Sequence, residues 1–143
     1  MSASLALVLA VLIADVQAEA RIDAALSACE RVMREGPMPL HREGVEGLTY
    51  DPARDVWFWE GEGATVAVHA HIGHRWCAAY FTRNGDRGDV LDQVRAWSVR
   101  QGHYQPMGSE NLRFGGRAER WRFEYRGNAG AVRVESLYTA DSI

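Results

Sequence analysis

The pattern of apolar and polar positions over residues 55–81 predicts three consecutive strands, and the rest of the chain is best read outward from there. Val66, Val68, Ala70 and Ile72 recur at every second position and predict one buried face of a strand. Ala67, His69 and His71 fall on the opposite face. Residues before Gly61-Glu62-Gly63 predict a preceding strand, joined by a tight turn at those glycines. Residues 75–81 predict a third. There Cys77, Ala79 and Phe81 share one face and Trp76, Ala78 and Tyr80 the other. Apolar residues on both faces predict a central place in the sheet.

Helical spacing flanks this core. Over residues 20–35, Ile22, Leu26, Cys29 and Met33, with Ala25 and Val32 alongside, form one apolar stripe. Gly36 and Pro37 then supply the usual stop signal. Residues 89–101 predict a second helix, with Asp89 as N-cap, Asp92 in the first turn and Val90, Leu91, Val94 and Trp97 as its stripe. Gly102 ends it. Residues 37–54 read as a long connection rich in turn residues, with a short strand near 48–50 and an Asp51-Pro52 turn. Residues 103–116, with Pro106 and Gly108, read as another connection. Trp121, Phe123 and Tyr125 then alternate with Arg120, Arg122, Glu124 and Arg126, and residues 131–138 predict a closing strand.

These elements predict an α+β fold: two helices packed on an antiparallel sheet of about five strands, in a single small domain over residues 21–143. A weak tandem helix-plus-hairpin repeat is visible at an offset of 66: Gly36 matches Gly102, Trp59 matches Tyr125, Gly61 matches Gly127, and Val66 and Val68 match Val132 and Val134.

The N-terminus changes the picture. Residues 5–14 form an unbroken apolar run, short of the roughly 20 residues that span a bilayer and of signal-peptide length. Val16-Gln17-Ala18 and Ala18-Glu19-Ala20 both have the small-x-small form of a cleavage site, so residues 1–20 predict a signal peptide cut after Ala18 or Ala20. Met1 to Ser4 carry no Lys or Arg, a departure from the usual pattern. Removing residues 1–20 takes away Asp15 and Glu19 and moves the net charge from -3 to -1. A periplasmic or secreted location follows, with no membrane span in the mature chain. The two cysteines, Cys29 and Cys77, fit an exported chain and predict a disulfide.

Composition excludes more than it assigns. All 16 basic residues are arginine, so Schiff-base chemistry, a lysine base and a Walker-type phosphate loop are ruled out. With 19 acidic residues against them, the balance gives nucleic acid no electrostatic hold. His71-Ile72-Gly73-His74 spells a synthetase signature, but the chain lacks the lysine and the length that signature requires.

His69 and His71 share a strand face, the spacing of β-sheet metal ligands, and are the candidate zinc or copper ligands. His41, His74 or His103 would supply a third nitrogen, and Glu60 or Glu62 an oxygen. Trp57 and Trp59 share a face and are the candidate aromatic contact surface, since exposed aromatics anchor interfaces. The leading expectation is a non-catalytic binding protein whose ligand is an envelope or extracellular protein or peptide. Metal binding through His69 and His71 is the alternative, and a small hydrolase of undefined class the third.

Overall fold

The computed structural model describes residues 2–83, 88–111, 116–125 and 128–137, with side chains over 16–82, 90 and 92–111 among them. The fold is α+β, as the alternating patterns predict. The described chain divides into two compact units, over residues 1–86 and 87–143.

The first unit opens with α1 (Ser2–Glu35), a continuous helix whose second half carries the expected stripe. Ile22, Ala25, Leu26 and Val32 are all buried. Gly36, at a φ of 81°, closes the helix by donating its N–H to Val32 O at 2.8 Å. Then the structure departs from the predicted connection: α2 (Met38–Glu43) is a short helix. Pro37 breaks α1 yet suits the start of α2, because its fixed φ is already helical and its missing N–H would be unpaired there. Leu40 is the one α2 side chain fully sunk into the core, and Arg31 of α1 holds Glu43 at 2.5 Å.

Four antiparallel strands follow in sheet order: β1 (Thr49–Asp51), β2 (Val56–Gly61), β3 (Ala64–His69) and β4 (Ala78–Arg83). The β1–β2 turn is set by Asp51, which accepts the Ala53 N–H at 3.0 Å and Arg54 Nε at 2.7 Å. The β2–β3 hairpin pairs Trp57 with Val68 and Trp59 with Val66, and closes at Gly61 and Ala64. Its inner face, carrying Ala64, Val66 and Val68, packs on α1.

Two details of the central stretch differ from the pattern. The third strand begins at Ala78, not Arg75, and it is an edge strand rather than a central one. Ile72, which period-two counting put in the core, is 59% exposed. The cause is shared. Strand β3 stops at His69, and a turn at Ile72-Gly73, with Gly73 at a φ of 91°, takes the chain off the sheet. Cys77 then ties the returning segment to α1 through the predicted disulfide with Cys29, whose Cα atoms stand 5.2 Å apart.

In the second unit, α3 (Gly88–Gln101) buries Val94 and Trp97 and ends at Gly102, at a φ of 79°. Beyond it lies a separate three-stranded antiparallel sheet: β5 (Tyr104–Asn111), β6 (Gly116–Tyr125) and β7 (Asn128–Leu137). The expected single sheet of about five strands is thus two sheets of four and three. Short connections favour pairing between consecutive strands, and each meander is built from neighbours in sequence. β5 falls where Pro106 and Gly108 suggested a loop. It tolerates both because it is an outer strand, and its register shifts between them.

Both units run a helix into an antiparallel meander. Their spacing is not constant: the helices end at Glu35 and Gln101, 66 apart, while the closing hairpin rungs, Gly61 with Ala64 and Tyr125 with Asn128, stand 64 apart. The likeness is one of element order. The predicted turn at Gly127 lies outside the described residues, as does residue 138.

Closing a loop of sequence separation 48, the Cys29–Cys77 bond is expected to stabilise the fold by up to about 4 kcal/mol. Urea denaturation followed by tryptophan fluorescence, with and without reductant, measures this. Coincident transitions would refute it.

Candidate functional site

Four polar side chains of the first unit, Tyr50, Asp55, His71 and His41, come together at one end of its sheet. Because the β2–β3 hairpin turns about Glu62-Gly63, the residues before β2 and after β3 come together there. Asp55, the last residue of the β1–β2 turn, sits in the left-handed region at a φ of 52°, uncommon for a side chain other than glycine. Its carboxylate is used on both oxygens. Tyr50 Oη donates to Oδ1 at 2.5 Å, and His71 Nδ1 lies 2.6 Å from Oδ2. With the proton on Nδ1, the His71 ring leaves Nε2 as its remaining polar atom. Trp76 lies parallel to the same ring, planes 8° apart and centroids 6.3 Å apart.

A second histidine supports this arrangement from below. His41 of α2 donates from Nε2 to Ala70 O at 2.7 Å and packs edge-on against Trp57, with centroids 4.7 Å apart. Tyr50 closes that aromatic cluster at 4.8 Å from Trp57. The segment between β3 and β4 is therefore held at its start by His41 and Asp55 and at its end by Cys77. Between those anchors every residue from His71 to Trp76 is exposed. Ile72 and Trp76, at 59% and 50%, are large apolar side chains presented to solvent.

The tryptophans expected to form the contact face are elsewhere. Trp57 is 2% exposed and belongs to the core, because its strand face is the one turned toward α1. Trp59 is half-buried: the Arg21 guanidinium of α1 lies 5.8 Å from its ring, and the indole crosses Gly61, leaving no room there for a Cβ. Trp57 and Trp59 are thus inward residues, and the exposed aromatics of this unit are Tyr50, Trp76 and Tyr80.

His69 and His71 also part company. His69 packs edge-on against Tyr80, centroids 5.5 Å apart, while His71 turns to Asp55. A carboxylate behind the imidazole is the usual second layer of a metal site. No group of three or more His, Cys, Asp or Glu side chains able to hold a metal ion is found among the described residues. The neighbouring outer face of β2 and β3 carries an open groove of about 290 Å³, lined by Arg54, Phe58, Glu60, Thr65, Ala67 and His69. Its polar and apolar atoms are mixed, and it does not reach the Asp55–His71 pair.

Chemically, the Tyr50–Asp55–His71 chain is a charge-assisted brace. It orients a half-exposed imidazole, but no side-chain hydroxyl or thiol among the described residues hydrogen-bonds to that ring. The brace fixes the orientation of the ring. Sequence periodicity did not reveal it. The signal that would have is the hairpin register: centring the turn on Glu62-Gly63 brings Asp55 and His71 to the same end. No protein-family model matches the chain, and no curated protein or solved structure matches it. The functional reading therefore rests on these residues.

The hydrogen bonds from Tyr50 and then His71 hold the Asp55 carboxyl below the usual carboxylate range, outweighing desolvation. Since folding lowers this pKa, the brace stabilises fully above the unfolded value of about 3.9 and is lost as pH falls through the lower folded value. Asp55→Asn retains a side chain that accepts the left-handed backbone and removes the charge. The stability gap between wild type and Asp55→Asn, from urea denaturation, is expected to narrow as pH falls below about 4. A gap that persists unchanged to about pH 2 would refute the brace.

Proposed function

We propose that this chain is an exported, non-catalytic binding protein that meets its partner through the segment between β3 and β4. The observation that carries the reading is that Ile72 and Trp76 are 59% and 50% exposed on a segment fastened at both ends. A large apolar side chain left in water has a cost, and one on a loose loop can fold back to avoid it. Here the Asp55 and His41 hydrogen bonds and the Cys77 disulfide oppose that collapse. Such a segment loses little conformational entropy on docking, which is how preorganised surfaces gain affinity.

Export is supported by the residue 5–14 apolar run, the two small-x-small sites and the disulfide, which persists in oxidising compartments. Among the described residues no helix is long and apolar enough to cross a membrane, which accords with a periplasmic or secreted mature chain. The partner class is an envelope or extracellular protein or peptide, because aromatic residues and arginine, as at Trp76 and Arg75, dominate protein interfaces.

The test joins two measurements. Intact mass of the protein recovered from the envelope, with and without reductant, is expected to show loss of residues 1–18 or 1–20 and one disulfide. Affinity capture from an envelope fraction is expected to fall by about tenfold or more for Ile72→Ala/Trp76→Ala, with Trp59→Phe unaffected. A full-length chain with two free thiols removes the export reading. Capture insensitive to Ile72 and Trp76 removes the contact surface.

A further inference from the structure

The segment between β3 and β4 also presents a cation that the described chain does not use. Arg31, Arg34 and Arg54 each hold a carboxylate, and Arg21 covers Trp59. Arg75 does neither: it is exposed and makes no hydrogen bond, ion pair or ring contact among the described residues. A guanidinium in water gains little by being there. It gains most where it meets a carboxylate in a dry pocket, through two parallel hydrogen bonds.

The backbone around Arg75 is pinned on both sides. On its N-terminal side the His74 N–H closes a turn onto His71 O at 3.3 Å, and the same residue, His71, is braced to Asp55 at 2.6 Å. On its C-terminal side Trp76 and then Cys77 follow, and Cys77 is bonded to Cys29. Arg75 is thus held on an exposed segment with an anchor on either side. A long cationic side chain fixed in the open in this way can reach into a cleft. A cleft with a carboxylate at its floor, built to take an extended basic residue, is the primary pocket of a serine protease that cuts after arginine.

We propose that the segment is an inhibitory loop for such a protease, with Arg75 entering the acidic specificity pocket and the Arg75–Trp76 bond lying at the catalytic serine. This rests on the reading of the segment as a protein-contact surface. The anchors explain why binding would not end in cleavage. Attack by the serine oxygen on the Arg75 carbonyl breaks the amide, passes the acyl group to serine and delivers a proton to the Trp76 nitrogen. With Trp76 stacked on His71 and adjacent to the tethered Cys77, that amine stays in place. The reverse attack then restores both the peptide bond and the free serine.

The experiment uses trypsin as the probe. Hydrolysis of a small arginyl substrate is followed as the disulfide-bonded protein is added, and mass spectrometry monitors the Arg75–Trp76 bond. Inhibition with an intact bond is expected, weakened about 100-fold in Arg75→Ala and retained in Arg75→Lys. Chymotrypsin, whose pocket lacks the carboxylate, is expected to be unaffected. In Asp55→Asn the bond is expected to be cut faster, as the N-terminal anchor is lost. Trypsin left uninhibited, or a wild-type bond cut as fast as in the reduced and unfolded chain, overturns the proposal. If envelope capture through Ile72 and Trp76 succeeds while trypsin is untouched, the contact surface stands and the protease assignment alone falls.

Discussion

The packing of α1 on the inner face of β3 is the constraint on which the first unit depends. Ile22, Ala25 and Val32 on one side meet a strand whose Val66 and Val68 are almost wholly removed from water. Ile22, Val32, Val66 and Val68 each contribute on the order of 2 kcal/mol and Ala25 less, and together they outweigh any surface ion pair in the unit. Everything polar in the region is arranged around that contact. Cys29 sits on the helix face that meets the sheet, which is why it can reach Cys77. Trp57 is drawn inward on the neighbouring strand, which is why His41 and Tyr50 gather over it.

Much of this could be read from spacing alone, because both periods in the first unit are strict. The helix stripe from Ile22 to Met33, the alternation through Val66 and Val68, the stop at Gly36 and the Cys29–Cys77 pair are local patterns tied to faces. What periodicity does not carry is where an element ends. Ile72 continues the count that begins at Val66, yet the strand has already stopped, so the same residue that looked like core is surface. Pro37, Pro106 and Gly108 misled in the other direction. Each is a breaker in an element's interior, but Pro37 stands at a helix start and the other two lie on an outer strand, where they are tolerated.

The site was legible in part. His71 drew notice through its spacing from His69, and that spacing suggested a shared ligand. The structure instead pairs His71 with Asp55, sixteen residues earlier, and leaves His69 to Tyr80. A partnership of that kind depends on strand register, which no short motif encodes. The tryptophans show the same limit. Composition flags Trp57, Trp59 and Trp76 alike, and only the pairing of β2 with β3 tells which of them faces α1. Strand assignment, too, follows neighbours in sequence more than total count, so the seven strands of the described residues settle as two sheets rather than one.

The irregular strand β5 has a consequence for how copies of this chain meet. A sheet border normally offers a regular row of donors and acceptors that a second molecule can extend. Along β5 the row has no amide hydrogen at Pro106, and past Gly108, at a φ of 122°, it is out of step by the register shift. An incoming strand that matched one side of the shift would miss the other. That border is therefore a poor template for strand-by-strand growth, and the two residues that make it so are the same two that disguise β5 as a loop.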